Sequence, residues 1–238
     1  MSQPIITVKN LTYKFDDFIA LDNISFVIEK GDMAAIIGPN GSGKTTLLKN
    51  IIGVYEPFSG SVKIAGKHPR QVIKSIGYVP QKFEFDRDIP ITVYEFMALE
   101  KCGKEKHSRV NITKALQDVG LKNIEKNKLG ELSGGQFQRV MIARALLHEK
   151  EILIFDEPST GIDIAGEQTI YDLIKEINRQ KNTTCLIVSH ELNVVNKYTN
   201  KVICLNKKMI CTGTPETVIT PENLKQLYGI GAGLYHTH

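Results

Sequence analysis

Gly38-Pro39-Asn40-Gly41-Ser42-Gly43-Lys44-Thr45 is the stretch that decides the fold of this chain. Glycines at 38, 41 and 43 let a backbone wrap closely, with amide hydrogens pointing inward at an anion. The apolar run Met33 to Ile37 before the loop reads as a short strand, and Thr45 to Ile52 after it as a helix. Strand, glycine loop and helix in that order are the context a phosphate-binding loop requires. The helix starting near Lys44 adds the partial positive charge of its N-terminus. Gly38, Pro39, Asn40, Gly41 and Gly43 are therefore expected to cradle phosphate through the backbone, with Lys44 at the β- and γ-phosphates of a nucleoside triphosphate and the Thr45 hydroxyl on Mg²⁺. Ser42 and Thr46 are expected to supply further hydrogen bonds. The same eight residues also fit a glycine-rich turn with a surface lysine, and the flanking strand and helix weigh against that reading.

Outward from the loop, residues 5–30 read as β structure. Ile5 to Lys9 and Ile24 to Glu29 have strand residue types, and Lys30-Gly31-Asp32 punctuates them. Ser61 to Ile64 and Ile76 to Val79 read as short strands. Residues 92–149 change character. Thr92 with Glu95 three residues later makes a capping box. Apolar residues then recur at helical spacing at Phe96, Met97 and Leu99, and at Ile112, Leu116 and Val119, a helical insert that ends in the helix after Ser133. Ile152 to Phe155 and Thr184 to Val188 are continuous apolar runs, as buried parallel strands require. Ile164, Ile170, Leu173, Ile174 and Ile177 mark a helix between them. Val202 to Leu205 and Met209 to Thr212 bracket Asn206-Lys207-Lys208 as a hairpin, and Pro215 and Pro221 open two final helical turns.

Asp156-Glu157 follows the run Ile152 to Phe155. Side chains alternate along a strand, so the two carboxylates are expected to point different ways and do different jobs. Alone, they would also fit an ordinary strand end with two solvated acids. Leu132-Ser133-Gly134-Gly135-Gln136 precedes a helical pattern of Phe137, Val140, Met141, Ala145 and Leu146, which puts its glycines at a helix N-terminus, a second anion site. A helix cap would explain Ser133 but not the full pattern. Gln81 lies just after a strand in Tyr78-Val79-Pro80-Gln81, and His190 just after another in Val188-Ser189-His190.

Taken in order, these five features resemble the ATP-binding-cassette (ABC) ATPases over nearly the whole chain. The resemblance implies an α/β fold, a P-loop NTPase core of ABC type with an antiparallel β subdomain and a helical insert. It implies one nucleotide-binding domain over residues 1–238, with a helical subdomain at about 92–149 and a C-terminal tail at about 214–238. It implies ATP and Mg²⁺ as ligands. Asp156 would hold Mg²⁺ through water, Gln81 would contact Mg²⁺ and the attacking water, Glu157 would polarise that water, and His190 would reach the γ-phosphate. Phe15, in Asn10-Leu11-Thr12-Tyr13-Lys14-Phe15, stands where the family usually has an adenine-stacking tyrosine, and Tyr13 is the alternative. Ser133, Gly134, Gly135 and Gln136 of a second copy would close over the γ-phosphate. Asp163, in Ser159-Thr160-Gly161-Ile162-Asp163, would link the two sites, with Ile162 where the family commonly has leucine. ATP would clamp two copies and hydrolysis would release them.

Bulk properties narrow the partners. The 238 residues carry a net charge of only +4 with no Lys/Arg block, so nucleic acid is not an expected partner. No run approaches the about 20 apolar residues of a spanning helix, and Met1-Ser2-Gln3-Pro4 lacks the pattern of a signal peptide. Cys102, Cys185, Cys204 and Cys211 show no C-x-x-C spacing, so reduced, buried thiols are expected rather than a zinc or disulfide framework. The family resemblance adds an integral-membrane permease, a periplasmic or lipoprotein metal-binding protein acting through it, and a peripheral place on the cytoplasmic face of the bacterial inner membrane. Phe83 to Val93, with Asp86-Arg87-Asp88-Ile89-Pro90-Ile91-Thr92-Val93, is similar to a stretch in motors of zinc, manganese and iron importers. The end, Tyr228-Gly229 through His236-Thr237-His238, resembles the tail of zinc-importer motors, whose histidines bind metal or are simply solvated. Zinc is the expected cargo, with manganese, iron or a siderophore, or another cargo, as alternatives. A P-loop kinase or nucleotide sensor is the rival class, and it has no need of the Leu132 to Gln136 pattern.

Overall fold

The computed structural model describes residues 3–81, 83, 85–100, 109–148, 150–160 and 162–229. Strands β1 (Pro4–Phe15) and β2 (Phe18–Glu29) pair antiparallel around a tight Asp16-Asp17 turn, with Asp16 at φ 49°. Next come β3 (Met33–Ile37), helix α1 (Lys44–Ile51), β4 (Ser59–Ile64) and β5 (Ile76–Val79). Helices α2 (Val93–Ala98), α3 (Arg109–Asp118) and α4 (Gly134–Ala145) form the expected insert. The chain closes with β6 (Ile152–Asp156), α5 (Ile164–Lys181), β7 (Thr184–Val188), α6 (Leu192–Tyr198), β8 (Lys201–Asn206), β9 (Lys208–Gly213), α7 (Pro215–Val218) and α8 (Pro221–Tyr228).

Two sheets result. One is antiparallel, in the order β2-β1-β4; the other runs β5-β6-β7-β3-β8-β9, parallel except for β9. Every residue of β3, β6 and β7 is buried, which is why each reads as an unbroken apolar run. The sheets enclose a core with α1, built on Val8, Leu11, Ile24, Ile36, Leu47, Ile154 and Leu186. On the opposite face of the parallel sheet, Phe155 and Ile187 pack with Met97 and Leu116 of the insert, Val140 and Ile142 of α4, and Ile174 of α5. The architecture is the mixed α/β arrangement expected.

The differences have local causes. Strands β1 and β2 extend beyond Lys9 and start before Ile24 because register shifts between Val8 and Tyr13 break the alternation a strand would show. Helix α6 had no signal: it buries only Val195 and Tyr198, too little for a periodic pattern. The expectation of reduced cysteines is overturned for one pair. Cys204 and Cys211 face each other across the β8–β9 hairpin, Cα–Cα 5.0 Å, and are joined as a disulfide. Simple continuation of the pairs Asn206↔Lys208 and Leu205↔Met209 would have put Ile210 opposite Cys204; a bulge after Leu205 puts Cys211 there instead. Cys185 is buried and free. Cys102, His236 and His238 lie outside the described residues.

Ile203 on β8 is fully buried between neighbours of the inter-sheet core. Ile203→Ala is expected to cost about 2–5 kcal/mol of unfolding free energy. Urea titration of wild type and variant checks this.

Candidate functional site

Strands β5, β6, β7 and β3 lie side by side and parallel. Whatever follows each strand therefore emerges at the same edge, the place where open α/β sheets bind ligands. Gln81, Asp156-Glu157, Ser189-His190 and the Gly38 loop are what follow them.

The loop is shaped by the strands behind it. Gly38 has φ 158°, and a Cβ there would lie 2.0 Å from the Leu205 carbonyl oxygen of β8. Gly43 has φ 98°, and its Cβ would meet the Ala20 carbonyl oxygen of β2 at 2.8 Å. Only glycine permits both approaches. The tip of the β8–β9 hairpin is tied to the loop, Lys207 N donating to Ser42 O at 2.8 Å, and Asp22 N donates to Lys207 O at 2.7 Å.

Lys44 is buried, and its Nζ donates to Gly38 O at 2.8 Å and Pro39 O at 2.9 Å. Burial holds its ammonium below the ordinary lysine value, against the opposing pull of Glu157 and Asp156. Ser42 Oγ beside it is buried and has no hydrogen-bond partner among the described residues. A buried hydroxyl wanting a partner, next to a buried ammonium at a helix N-terminus, is a set that a phosphate would satisfy. Asn40, Gly41 and Thr45 are exposed at the mouth of the loop, with Pro39 and Thr46 half-buried.

Asp156 ends β6 and is 3% exposed. Burial, then the charge of Glu157, raise its carboxyl above the ordinary value; a hydrogen bond from Tyr78 and the charges of Lys44 and Lys49 oppose them. Tyr78 Oη donates to Asp156 Oδ2 at 3.3 Å. A buried carboxylate under that stress, with the Thr45 hydroxyl and the Gln81 amide oxygen as further hard donors, is a set that fits Mg²⁺.

The two carboxylates do diverge, but not by strand alternation. Glu157 sits at φ 50°, in the left-handed region, so the chain has already left the strand. Such a backbone costs on the order of 1–3 kcal/mol in a non-glycine residue and is typical of functional sites. Gln81 Nε2 donates to Glu157 Oε2 at 2.5 Å, Thr160 Oγ1 donates to the same oxygen at 3.5 Å, and His190 Nδ1 lies 3.8 Å from it. Glu157 N donates to Val188 O at 3.0 Å, which fastens this turn to the strand leading to His190.

Three expected groups stand apart from that cluster. Ser133 caps α4: its Oγ accepts from Gln136 N at 3.3 Å, and Ser133 N donates to Gln136 Oε1 at 3.1 Å. The Ser133 and Gln136 side chains bond within that turn, which leaves Gly134 and Gly135 at the helix N-terminus. Asp163 caps α5, its Oδ1 accepting from Gly166 N at 2.9 Å. Phe15 is 42% exposed and meets Tyr13 and Tyr55 edge-on, with centroids at 5.0 and 5.7 Å. Tyr13 is half-buried and stacked on Tyr55 at 4.9 Å, so Phe15, not Tyr13, keeps a ring surface open.

The sequence profile of the ABC transporter family matches residues 21–160. The chain belongs to the ABC transporter family. It is 41% identical over 94% of its length to a protein of Thermotoga maritima named as a probable metal transport system ATP-binding protein, covering 90% of that relative. It is 41% identical over 95% of its length to a zinc import ATP-binding protein of Buchnera aphidicola, covering 91% of it. Among solved structures, cbiO1 from Clostridium perfringens, part of an ABC transporter complex, superimposes with a TM-score of 0.81 at 29% identity, covering 94% of this chain and 93% of that one. As a member of this family the chain is an ATPase whose hydrolysis is coupled to transport.

Sequence reasoning missed several groups in this ABC ATPase. Tyr78 reaches Asp156 because it lies on the neighbouring strand and pairs with Ile154, one pleat earlier on the same face. Only the strand order reveals that. Tyr55 supports Tyr13 from a loop with no pattern of its own. Glu191 lies close enough to Glu167 of α5 for the two carboxyls to interact.

Two predictions follow from this geometry. Gly38→Ala would force a Cβ into the Leu205 carbonyl and displace the loop, so ATP binding should be lost in a fluorescent-nucleotide titration. Burial, then the Glu167 hydrogen bond and charge, raise the Glu191 carboxyl from 4.5 to about 7. The folded pair thus keeps a proton that the unfolded chain releases. Its contribution to stability is full below about pH 4.5 and is lost as pH rises through about 7. Glu191→Gln should flatten the pH dependence of the unfolding midpoint across that window; an unchanged slope would refute the assignment.

Proposed function

We propose that this ABC ATPase is the motor of a zinc importer. Two copies bind ATP between them and drive an integral-membrane permease from the cytoplasmic face of the bacterial inner membrane, and a periplasmic or lipoprotein metal-binding protein delivers the ion. The observation that carries the hydrolytic reading is the meeting of Gln81, Thr160 and His190 on one oxygen of Glu157, close to the buried Lys44 and Asp156. Zinc is supported by the relatives named for zinc import that match almost the whole chain, and by the Asp86 to Val93 stretch. In this reading residues 92–149 form a helical subdomain within one nucleotide-binding domain.

ATP is the substrate. Phe15 stacks on its adenine. The loop amides, Ser42 and Thr46 take the phosphate oxygens, and Lys44 bridges the β- and γ-phosphates. Thr45, Asp156 and Gln81 would hold Mg²⁺, which neutralises charge on those oxygens. Glu157 accepts a proton from the attacking water while Gln81 fixes its carboxylate. His190 reaches the γ-phosphate. The water oxygen bonds to phosphorus as the bond to the β-phosphate oxygen breaks, releasing ADP and phosphate. Ser133 and the Gly135 amide of the second copy stabilise the charge that develops, with Gly134 and Gln136 shaping that loop and Asp163 linking the two sites. Positioning and electrostatics supply most of the rate, as in other phosphoryl transfers.

Glu157→Gln is expected to retain ATP binding, cut turnover at least about a hundredfold and trap the ATP-bound dimer on gel filtration; unimpaired turnover would reject the role of Glu157. The cargo is tested by ATPase rate in the reconstituted complex with zinc-, manganese- or iron-loaded binding protein. Stimulation by the zinc-loaded form alone is expected, and equal rates with all three would remove zinc while leaving the motor.

A further inference from the structure

The Cys204–Cys211 disulfide crosses the hairpin on which the phosphate loop rests. Cys204 pairs with Ile37, the last residue of β3 before Gly38. The next residue, Leu205, presents the carbonyl oxygen that restricts position 38 to glycine. Two residues further on, Lys207 N donates to Ser42 O at 2.8 Å, and Lys207 O accepts from Asp22 N at 2.7 Å. Lys208 Nζ adds an ion pair with Asp22 Oδ2 at 3.2 Å. The hairpin thus supports the loop both at its first glycine and at its serine.

The hairpin is itself held unevenly. Strand β9 is the edge of its sheet and pairs with β8 alone. The ladder between them is interrupted between Cys204 and Leu205, which leaves Ile210 with no residue opposite. That bulge separates the tip from the rest of the ladder, and the sulfur bond lies immediately beyond it. The two sulfurs differ in access. Cys204 is 1% exposed and packs with Ala35, Ile37 and Val218, whereas Cys211 is half-buried. A small thiol or disulfide arriving from solvent therefore meets Cys211 first. Disulfides are rare in a reducing compartment, and those found there are usually transient or redox-sensing.

We infer that Cys204 and Cys211 form a thiol–disulfide exchange site, a redox modification that sets the order of the phosphate loop and with it the affinity for nucleotide; the inference rests on the cytoplasmic placement and the nucleotide role of that loop proposed above. The co-reactant is a small-molecule disulfide of the glutathione class. In the oxidising direction the Cys211 thiolate attacks one sulfur of that disulfide, whose S–S bond breaks and releases one small thiol. The Cys204 thiolate then attacks the Cys211 sulfur of the mixed disulfide and expels the second small thiol. The two cysteine thiols lose two electrons and two protons, and the small disulfide gains them as two thiols. Reduction runs the same steps backwards, starting with a small thiolate at Cys211 Sγ. In the disulfide state the hairpin is closed beside its bulge, and the loop meets a fixed Leu205 carbonyl and Lys207 amide. In the dithiol state the edge strand opens more readily, and the loop has to be ordered as nucleotide binds, which weakens binding. Cys185 does not compete for the reagent, because it is fully buried and burial pushes its thiol up to about 12.

The test uses the full chain carrying Cys102→Ser, so that Cys204 and Cys211 are the exchangeable thiols. It is equilibrated with reduced and oxidised glutathione at a series of fixed ratios. Free thiols are alkylated and counted by mass spectrometry, and a fluorescent ATP analogue is titrated at each end of the series. Two alkylation sites should disappear together on oxidation, and the Kd for the analogue should fall about threefold to tenfold. Adding Cys211→Ser should hold the Kd at the reduced-state value at every ratio. Should that variant misfold, the Cys102→Ser chain alone still decides, since its two states differ only in the sulfur bond. Equal affinity at both ends would overturn the inference and leave the motor standing. So would a pair that stays oxidised in excess reduced glutathione, a pair that stays reduced in excess oxidised glutathione, or a response that persists in Cys211→Ser. Absence of nucleotide binding at both ends would remove the phosphate-loop reading and the inference with it.

Discussion

The parallel hydrogen-bond ladders joining β5, β6, β7 and β3 hold the whole site together. Each strand contributes one chemical element at its carboxyl end: Gln81, Asp156-Glu157, Ser189-His190 and the phosphate loop. The ladders put neighbouring strands at the fixed spacing of a sheet, so these elements arrive at their distances without long side chains reaching across. Strands β3, β6 and β7 are buried throughout, by the antiparallel sheet and α1 on one face and by the helices on the other. The edge is rigid because its supports are dry and tightly packed.

The site built on that edge works against local stability. Lys44 and Asp156 are charged groups taken out of water, Ser42 Oγ is buried without a partner among the described residues, and Glu157 holds a left-handed backbone. Each feature is unfavourable alone, and each makes sense next to a triphosphate and its cation. The inter-sheet core offsets these costs. The Leu205 carbonyl against Gly38 shows the same trade at the backbone level: β8 fixes the path of the loop, at the expense of allowing only glycine there.

Two further features border this edge. The segment after Gln81 is held by rings, Phe83 edge-on to Phe96 of α2 at 5.3 Å and Phe85 stacked on Phe137 of α4 at 5.4 Å. These rings pack Phe83 and Phe85 against α2 and α4 of the helical insert. The Ser133 loop is closed on itself by its capping box and leaves its helix N-terminus free to meet an anion from elsewhere.

The sequence by itself determined the elements and their chemistry. Glycine loops, capping boxes at Thr92 and Ser133, and the buried runs at β3, β6 and β7 are local signals, because steric freedom, cap geometry and hydrophobic period act over a few residues. Tertiary structure decided everything that depends on which strand lies beside which. Tyr78 meets Asp156 only because β5 neighbours β6, and Phe15 rather than Tyr13 keeps its ring open only because Tyr55 comes back to stack on Tyr13. Cys204 faces Cys211 because of a single bulge, which no count along the chain anticipates. Glu157 turns away from Asp156 by a left-handed residue, where a strand rule had suggested mere alternation. Tyr171 of α5 meets Ser159 of the preceding loop only because α5 folds back beside it. Register, strand order and loop return are properties of long-range packing, and packing is settled by the fold as a whole.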